Sequence, residues 1–523
     1  MGRNERSVEG MIGPIQQSDA KLFHYGINLE KRIRTSNPLR AVKRAVDFSF
    51  VRQKVAGFYG KDGHQSEDPI VLVKMMLLLF WDNVPSEREL MRIVAERLDY
   101  LWFLDFDLDE EIPNHSVLSK ARKLWGGEVF EELFIETVRQ CVEAGLVEGS
   151  KLHMDGSLVD ANASKKSVKH GPAALIDSLR TLYRREAGKL ESPEEEPTPE
   201  SGNAKGRSSV SRTDPDAAMS RKNAADPARP RYKSHRGIDD RCGVITAVET
   251  TTGDVMEPQR LLALVEQHER NTGEKVNTVV ADAQYGTNEN FAACEERKIR
   301  SHMKDFRSLQ KNDAAKRGIF KQEDFRYDPE TQIYLCPAGE RLKPTGRIDR
   351  GFQIFQSNRN VCQHCSLRTK CTRSKRQIRT LKRHVAHEAI ERARLESHSG
   401  WGRRDRKRRH HLMERSFADA ANHHGFKRAR WRRLPNQRIQ DLLIAACQNI
   451  RILMGNPRRP VAAAMKAVQS PARAQWAARA AAMAAIATRS NMKTLSTQGS
   501  FSGPPVALGR SWRSYRPSIF SRL

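Results

Sequence analysis

Long apolar runs are scarce in this sequence. The longest, IVLVKMMLLLFW over residues 70–81, is interrupted by Lys74, whereas a membrane-spanning helix needs about 20 apolar residues. We therefore predict a buried helix there and no membrane partner. The first residues, MGRNERSVEG, also lack the apolar stretch of a secretory signal. We expect a cytoplasmic protein.

Cysteine and acidic residues are also few. Eight cysteines among 523 residues are too few for the disulfide scaffold of a secreted protein. Asp and Glu number 63 against 91 Lys and Arg, which gives a formal net charge of +28, and no acid follows Asp441. This excess disfavours a basic partner and favours a polyanion such as nucleic acid.

The length suggests about three domains, at about 150 residues per domain. After an arm over residues 1–37, helical periodicity over 38–146 predicts an all-α domain. Its short basic helices fit a DNA-binding helix-turn-helix. They fit equally well a helical bundle with solvated charges, and both alternatives stay open.

Strand patterns begin near Ser150 and resume after residue 230, which predicts a sheet interrupted by inserts. The polar tract over 191–216 carries too little apolar surface to fold and predicts a disordered loop. The tail is either a phosphate-binding extension, partly disordered, or an unselected one. We place core segments at 147–164, 231–333 and 380–456, an insert at 165–230, a Cys-rich insert at 334–379 and a basic Ala-rich tail at 457–523.

Three acids stand out in this basic chain. Asp155 lies within a strand pattern, Asp282 directly follows an apolar strand, and Glu414 lies on a segment with helical periodicity. Carboxylates gathered at a sheet repel each other unless cations neutralise them. Mg²⁺ or Mn²⁺ would do so, and two such ions about 4 Å apart favour phosphoryl transfer. A single acid is more often a surface charge or a cap; the rivals are Asp160, Asp239, Asp240, Glu388, Glu391 and Glu396.

Four motifs resemble the insertion-sequence transposases of the DDE type, in the order found in that family. PNHSVLSKAR (113–122) is similar to the helical domain that precedes the catalytic core. HMDGSLVDANAS (153–164) and VVADAQYGTNEN (279–290) resemble the motifs of the first and second aspartates. RHHLMERSFADAANHHGFKRARWRR (409–433) resembles the region of the glutamate.

The resemblance implies an α/β fold: an RNase H-like mixed sheet flanked by helices, after an all-α N-terminal domain. Asp155 would lie on the first strand, Asp282 after the fourth, and Glu414 on a later helix, and the three would hold Mg²⁺ or Mn²⁺. The implied activity is cleavage of double-stranded DNA at transposon ends and attack of the freed 3′-hydroxyl on target DNA, by a homodimer on DNA. A nuclease without strand transfer and an inactive DNA-binding relic are the alternatives.

The chain departs from one branch of that family, which surrounds the glutamate with Tyr, Arg and Lys. Lys407, His410 and Ala421 occupy those three positions here, so the accessory roles and any hairpin chemistry do not carry over. Two basic runs nevertheless flank Glu414 and predict contacts with the DNA backbone. The DNA-binding candidates are Arg403, Arg404, Arg406, Lys407, Arg408, Arg409, His410, Lys427, Arg428, Arg430 and Trp431. For Trp431, base stacking and core packing are both open.

The remaining signal is a cysteine group, Cys336, Cys362, Cys365 and Cys371, spaced C-x25-C-x2-C-x5-C. Four thiolates can close a tetrahedral structural zinc site, and reduced thiols without a ligand are the alternative. The resemblance includes such a cysteine-rich insert in some members. The other four cysteines lie in apolar contexts, which favour the core.

Overall fold

The computed structural model describes residues 28–60, 66–190, 208–223, 225–304, 318–349 and 351–455. The tail at 457–523 and most of the N-terminal arm lie outside these residues. Within α9 below, side chains are described as far as residue 186.

The chain begins with helices, as the sequence predicted. Asp68 accepts the backbone N–H of Ile70 and Pro69 occupies the first turn, so α4 begins where the sequence placed a cap. None of the described helices is long and apolar enough to cross a membrane. The helices are α1 (Leu29–Arg32), α2 (Pro38–Ala45), α3 (Phe50–Val55), α4 (Pro69–Trp81), α5 (Glu87–Glu96), α6 (Leu98–Leu104), α7 (Ser116–Trp125) and α8 (Glu128–Glu143).

A mixed sheet follows the helices. Its strands lie in the order β4-β5-β1-β7-β8, and β6 also pairs with β5. The pairs of β5 with β1, β4 and β6 are antiparallel, whereas β7 runs parallel to both β1 and β8. The strands are β1 (Lys151–Asp160), β4 (Ala218–Ser220), β5 (Arg229–Asp239), β6 (Ile245–Thr252), β7 (Thr278–Ala281) and β8 (Arg300–Met303).

Helices on and beside the sheet complete this part of the chain: α10 (Leu261–Thr272), α11 (Asn288–Glu296), α14 (His387–Ser397), α15 (Gly400–His424) and α16 (Leu434–Met454). α16 is buried along most of its length and packs against α4, α8 and β6. One hydrophobic core therefore joins the N-terminal helices, the sheet and α16. Burying this much apolar surface is the main stabilising contribution.

Polar side chains within that core are paired. Asn449 of α16 accepts the N–H of Ile245 and donates to its carbonyl, at 2.9 and 2.8 Å. Asp441 accepts from the hydroxyl of Thr250 at 2.6 Å, and its burial raises its pKa to about 6. These contacts fix α16 against β6, since an unpaired buried polar group costs about 1–3 kcal/mol.

Two inserts interrupt the core. The first contains β2 (Val168–His170), α9 (Ala173–Leu190) and β3 (Ser209–Ser211). The prediction of a disordered loop as far as residue 216 was wrong at its end. Residues 208–216 include β3, and Asp216 is buried between Arg184 and Arg433, with N–O distances of 2.6 and 2.9 Å. Ion pairs here compensate for the small apolar content on which the prediction relied.

The second insert carries the cysteine group and forms its own five-stranded antiparallel sheet, in the order β13-β12-β11-β10-β9. A small core of aromatic and apolar residues lies on it. Its elements are β9 (Arg326–Asp328), β10 (Ile333–Leu335), β11 (Arg341–Asp349), β12 (Phe352–Ser357), α12 (Arg359–Cys362), α13 (Arg368–Cys371) and β13 (Thr380–His384).

Candidate metal centre and its basic surround

Three carboxylates meet at one edge of the central sheet. Asp155 lies in the middle of β1, Asp282 follows the last residue of β7, and Glu257 begins a 3-10 turn (Glu257–Arg260) after β6. One oxygen from each lies within 4.8 Å of the others. Because β7 pairs in parallel with β1, through Leu152↔Val279 and His153↔Val280, the carboxyl end of β7 comes beside Asp155.

Backbone groups and a guanidinium orient the two aspartates. Asp282 accepts the N–H of Gln284 at 2.8 Å and thereby caps the turn Ala283–Tyr285. Asp155 accepts the N–H of Gly156 at 2.9 Å and Nη1 of Arg409 at 2.8 Å. Both aspartates that the sequence predicted therefore lie together and are held in position.

Glu257 is the member of the group that sequence reasoning missed. Its side chain is only 11% exposed, and its Oε1 lies 3.4 Å from Nζ of Lys233. Gly156 makes room for it, since a Cβ there would lie 2.9 Å from Cδ of Glu257. The sequence did contain one indication of its role: Glu257 follows a strand pattern, as Asp282 does.

Burial and mutual repulsion act on this group together. Burial raises the pKa of Asp155, which Arg409 lowers and Asp282 raises further. Burial likewise raises the pKa of Glu257, which Lys233 lowers and the two aspartates raise. The charged forms are thus under-neutralised by the protein itself, a condition that a bound cation relieves.

The donor set fits a hard divalent cation. Carboxylate oxygens are the ligands that Mg²⁺ and Mn²⁺ prefer. The hydroxyl of Tyr285, which is fully buried, has no hydrogen-bond partner in the described part of the chain. Its turn packs against the turn that begins with Glu257, and burial and then the charges of Glu257, Asp155 and Asp282 raise the pKa of Tyr285. Asp155, Glu257 and Asp282 could therefore hold such an ion.

Glu414, the third predicted acid, is not among the grouped carboxylates. It is on α15, as expected, but its side chain is 68% exposed and its Oε2 lies 3.2 Å from Nδ1 of His410. The residue of α15 that contacts Asp155 is instead Arg409. The structure brings Asp155 and Asp282 together with Glu257 and leaves Glu414 outside that group.

The rival acids have partners of their own. Asp239 accepts backbone N–H groups of Gly149 and Arg241, and Asp240 pairs with His153 and Arg408 at 2.7 and 2.5 Å. The other contacts are Asp160 with Arg231, Glu388 with Arg383, Glu391 with Arg394 and Glu396 with His302. These contacts give each of the six acids a place in the fold.

The predicted DNA-binding residues of α15 divide between its two faces. Arg406 donates to Ser397, and Arg408 and Arg409 are paired with Asp240 and Asp155. On the outer face, Arg404 lies 4.2 Å from the ring of Trp401. Between residues 403 and 415 the exposed basic side chains of α15 are Arg403, Arg404, Lys407, Arg408, His410, His411 and Arg415, and we call them the α15 basic face.

After α15 the basic run returns to the core. Residues 427–429 pair with the end of β1, through Asp160 N–H to Lys427 O at 3.0 Å and Ala429 N–H to Asp160 O at 2.8 Å. The side chain of Lys427 donates to Ser157 at 2.9 Å, whereas that of Arg428 is exposed. Residues 427–429 therefore lie beside the end of β1, the strand that carries Asp155.

Arg430 and Trp431 belong to the fold. Nη1 of Arg430 donates to the carbonyls of Leu79 and Val84 at 2.7 and 2.5 Å, and Nη2 donates to Asn83 at 2.7 Å. Trp431 packs edge-on against Phe80 at 5.5 Å, with the Arg122 guanidinium over its ring. Core packing, one of the two alternatives for Trp431, is the one observed.

The four predicted zinc ligands come together in the second insert. The four thiols line one cavity, with Phe320, Val361 and Leu367 among the other lining residues. The amide of Glu340 donates to Sγ of Cys336 at 3.3 Å, a contact typical of a thiolate turn. Burial raises the pKa of Cys371, and the other three thiols raise it further. In the described part of the chain, however, only the Asp155 group has all its ligand atoms within 4.8 Å.

The remaining cysteines Cys141, Cys294 and Cys447 are buried and Cys242 is half-buried.

Two family models match the chain. A Transposase domain (DUF772) matches residues 27–124, and a Transposase DDE domain matches residues 335–454. The first match covers helices α1 to α7, and the second covers the cysteine insert, Glu414 and α16. No curated protein matches the chain.

The contacts of Arg430 predict a large effect on stability. Arg430→Ala removes three hydrogen bonds from a guanidinium, each worth about 1.5–3 kcal/mol when one partner is charged. The free-energy cost of burying the charged guanidinium is removed as well, so we expect the free energy of unfolding to fall by less than the sum of the three bonds, about 2–4 kcal/mol, as measured by urea denaturation. Arg428→Ala, two residues away and exposed, is the control and should change it by less than about 0.5 kcal/mol. Equal effects of the two variants would contradict the structural role of Arg430.

Proposed function

We infer that this chain, which belongs to the insertion-sequence transposases of the DDE type, cleaves DNA at the ends of its element and joins the freed 3′-hydroxyl ends to target DNA. The observation that carries this inference is the group of three carboxylates within 4.8 Å, set in a chain of net charge +28. An acidic centre with a basic surround suits phosphoryl transfer on a polyanion.

We also propose that the core is RNase H-like. Asp155 lies on β1, the first strand of the central sheet, and β5 and β6 follow as an antiparallel pair. Asp282 follows β7, which is the fifth strand of this sheet in chain order and the fourth if the three-residue β4 is left out, and β7 runs parallel to β1. The positions of the two aspartates on these strands support the proposed RNase H-like core.

In this mechanism the residues of the chain hold the metal ions and orient the carboxylates that bind them. Asp155 and Asp282 would hold divalent cations, which supply charge neutralisation and activation of an attacking oxygen when bound. Arg409 fixes the carboxylate of Asp155. Glu414 completes the proposed catalytic triad from α15, in the same helix as Arg409. Water and then the 3′-hydroxyl are the nucleophiles, so no covalent enzyme–DNA bond is required.

Substitution of each triad residue tests this proposal. We expect Asp155→Asn, Asp282→Asn and Glu414→Gln each to lower DNA cleavage by at least 100-fold, because each removes one negatively charged carboxylate of the proposed triad. The assay uses element ends with Mg²⁺ or Mn²⁺, and DNA binding is measured in parallel and should persist. Asp240→Asn is the control, since its carboxylate is occupied by His153 and Arg408.

The same assay separates the competing functions. Joining of precut ends to target DNA supports a transposase. Cutting without joining would indicate a nuclease, and binding without cutting would indicate an inactive relic. Normal cleavage by any of the three variants would refute the role of that residue. Because two ends must be held together, we propose a homodimer on DNA.

We propose that DNA lies along the α15 basic face. This face continues from Arg409, which contacts Asp155, so a backbone held by it passes close to the metal centre. Glu414 is the one exposed acid among its residues. Each neutralised phosphate contributes about 0.9 to the slope of log affinity against log salt.

Loss of one charge on this face should therefore be measurable. We expect Lys407→Gln and Arg404→Gln each to reduce the salt slope of DNA binding by about 0.9, with affinity weakened for all sequences alike. The measurement is fluorescence anisotropy at several salt concentrations. Lys275→Gln, an exposed lysine outside α15, should leave the slope unchanged. An unchanged slope in both α15 variants would place the DNA elsewhere.

We propose that the cysteine cavity holds one structural zinc ion. Supporting this, the cavity is lined by four thiols on β10, α12 and α13 and the turns beside them. A bound ion would draw the thiolates to about 2.3 Å from it. The group lies in a separate small sheet, so its role is to stabilise that insert.

Metal analysis tests the zinc proposal. We expect about one zinc per chain in the purified protein, and less than about 0.2 in the Cys362→Ser variant, because three thiolates and a hydroxyl bind zinc poorly. Cys242→Ser, outside the group, should keep its zinc. Absence of zinc from the unaltered protein, even after incubation with zinc, would mean that these are reduced thiols.

A further inference from the structure

We propose that Glu257 is a metal ligand, and that Asp155, Glu257 and Asp282 together bind one divalent cation in the protein free of DNA. The site would take Mg²⁺ or Mn²⁺ without Glu414. This inference rests on the proposed function only for the reaction that the ion serves; the binding site itself stands on the geometry below.

Glu257 reaches the aspartates because the chain makes room for it. Its ligand oxygen is within 4.8 Å of those of Asp155 and Asp282. A Cβ at Gly156 would lie 2.9 Å from both Cδ and Oε1 of Glu257, so any larger residue would displace the carboxylate from Asp155. Glycine at position 156 therefore allows the carboxylate of Glu257 to lie close to Asp155.

The charges of the group are not balanced by the protein. Arg409 lies 2.8 Å from Asp155, and Lys233 lies 3.4 Å from Glu257. Lys233 also donates to the carbonyl of Val255 at 3.0 Å, so its ammonium is shared between Glu257 and the backbone. Three carboxylates with two cations at their edge leave an uncompensated negative charge, and desolvated like charges disfavour ionisation.

An independent observation is the hydroxyl of Tyr285. The side chain is fully buried, and its hydroxyl has no hydrogen-bond partner among the residues that the structure describes. The turn that ends at Tyr285 packs against the turn that begins with Glu257, and burial together with the charges of all three acids raises the pKa of Tyr285. An unpaired buried hydroxyl costs about 1–3 kcal/mol. A water molecule on a cation held by the three acids would donate a hydrogen bond to the hydroxyl oxygen, so the hydroxyl belongs to the proposed site.

Glu414 differs from Glu257 in each of these respects. It is 68% exposed, it pairs with His410, and its oxygens are not among the grouped ligand atoms. The two glutamates therefore have separate roles: Glu257 binds the ion that is present before DNA, and Glu414 is needed for cleavage. This separation makes the proposal testable without an activity assay.

The test measures Mn²⁺ binding to the full chain without DNA, by isothermal titration calorimetry. We expect Glu257→Gln and Asp282→Asn to weaken binding at least 10-fold, because each removes one charged ligand. Glu414→Gln should change it less than 2-fold. The matched control is Glu266→Gln, a glutamate of α10 that is 48% exposed and pairs with Arg297. Melting curves of each variant establish that it is folded.

A second measurement needs no variant. Fe²⁺ bound in place of Mg²⁺ reduces added hydrogen peroxide to hydroxide and a hydroxyl radical, and ascorbate returns the resulting Fe³⁺ to Fe²⁺. The radicals cut the peptide chain near the ion. We expect fragments ending near residues 155, 257 and 282–285. Cutting near residue 414 without cutting near 257 would overturn the proposal, and so would unchanged Mn²⁺ affinity in folded Glu257→Gln.

The outcomes also separate this proposal from the proposed function. If the unaltered protein neither cuts nor joins DNA but loses Mn²⁺ binding in Glu257→Gln, the site stands and the transposase activity falls. If it joins DNA while Glu257→Gln binds Mn²⁺ normally, the activity stands and the role of Glu257 falls.

Discussion

The parallel pairing of β7 with β1 is the constraint on which the rest of this structure depends. It brings the carboxyl end of one strand beside the middle of the other, and so places two aspartates side by side although 126 residues separate Asp155 from Asp282 in the numbering. Carboxylates placed so closely repel each other. Arg409 from α15 and Lys233 from β5 partly offset this repulsion by pairing with Asp155 and Glu257. Gly156 leaves the space that Glu257 occupies.

The positive charge of the chain serves two purposes that composition cannot separate. Part of it is internal to the fold. Arg430 joins α4 to the segment before α16, and Arg236 lies fully buried between Ser416 and Gln448. Burial lowers the pKa of both guanidinium groups to about 10, and each is stabilised by its hydrogen bonds. Only the remainder, including the α15 basic face, is exposed to solvent and accessible to the DNA that we propose as partner.

The N-terminal helices are joined to the sheet by a common core. α16 packs against α4, α8 and β6. Because such interiors are closely packed, a shift of one of these elements displaces the others. This arrangement links the part that matches the Transposase domain (residues 27–124) to the part that matches the Transposase DDE domain. Arg430 and Trp431 lie at this junction, which explains why a basic motif close to the proposed glutamate carries structural residues.

Much of the fold could be predicted because its signals are local. The cap at Asp68, the strand around Asp155, the strand before Asp282 and the helix around Glu414 all follow from residue types a few positions apart, and all are observed. The cysteine spacing likewise indicated four thiols that do share a cavity. The strands of that insert were not predicted, since short, mostly exposed strands such as β11 carry little hydrophobic periodicity.

What the sequence by itself determined is therefore the set of local elements, the two aspartates and the basic character of the chain. Only the tertiary structure decided which acid joins the aspartates and which cations face the solvent. Glu257 comes 102 positions after Asp155 and reaches it only through the pairing of β5 and β6 and the space beside Gly156. Contacts of this kind depend on how elements pack and leave no trace in local periodicity. The same applies to Arg430, whose neighbours do not distinguish a buried guanidinium from a solvated one.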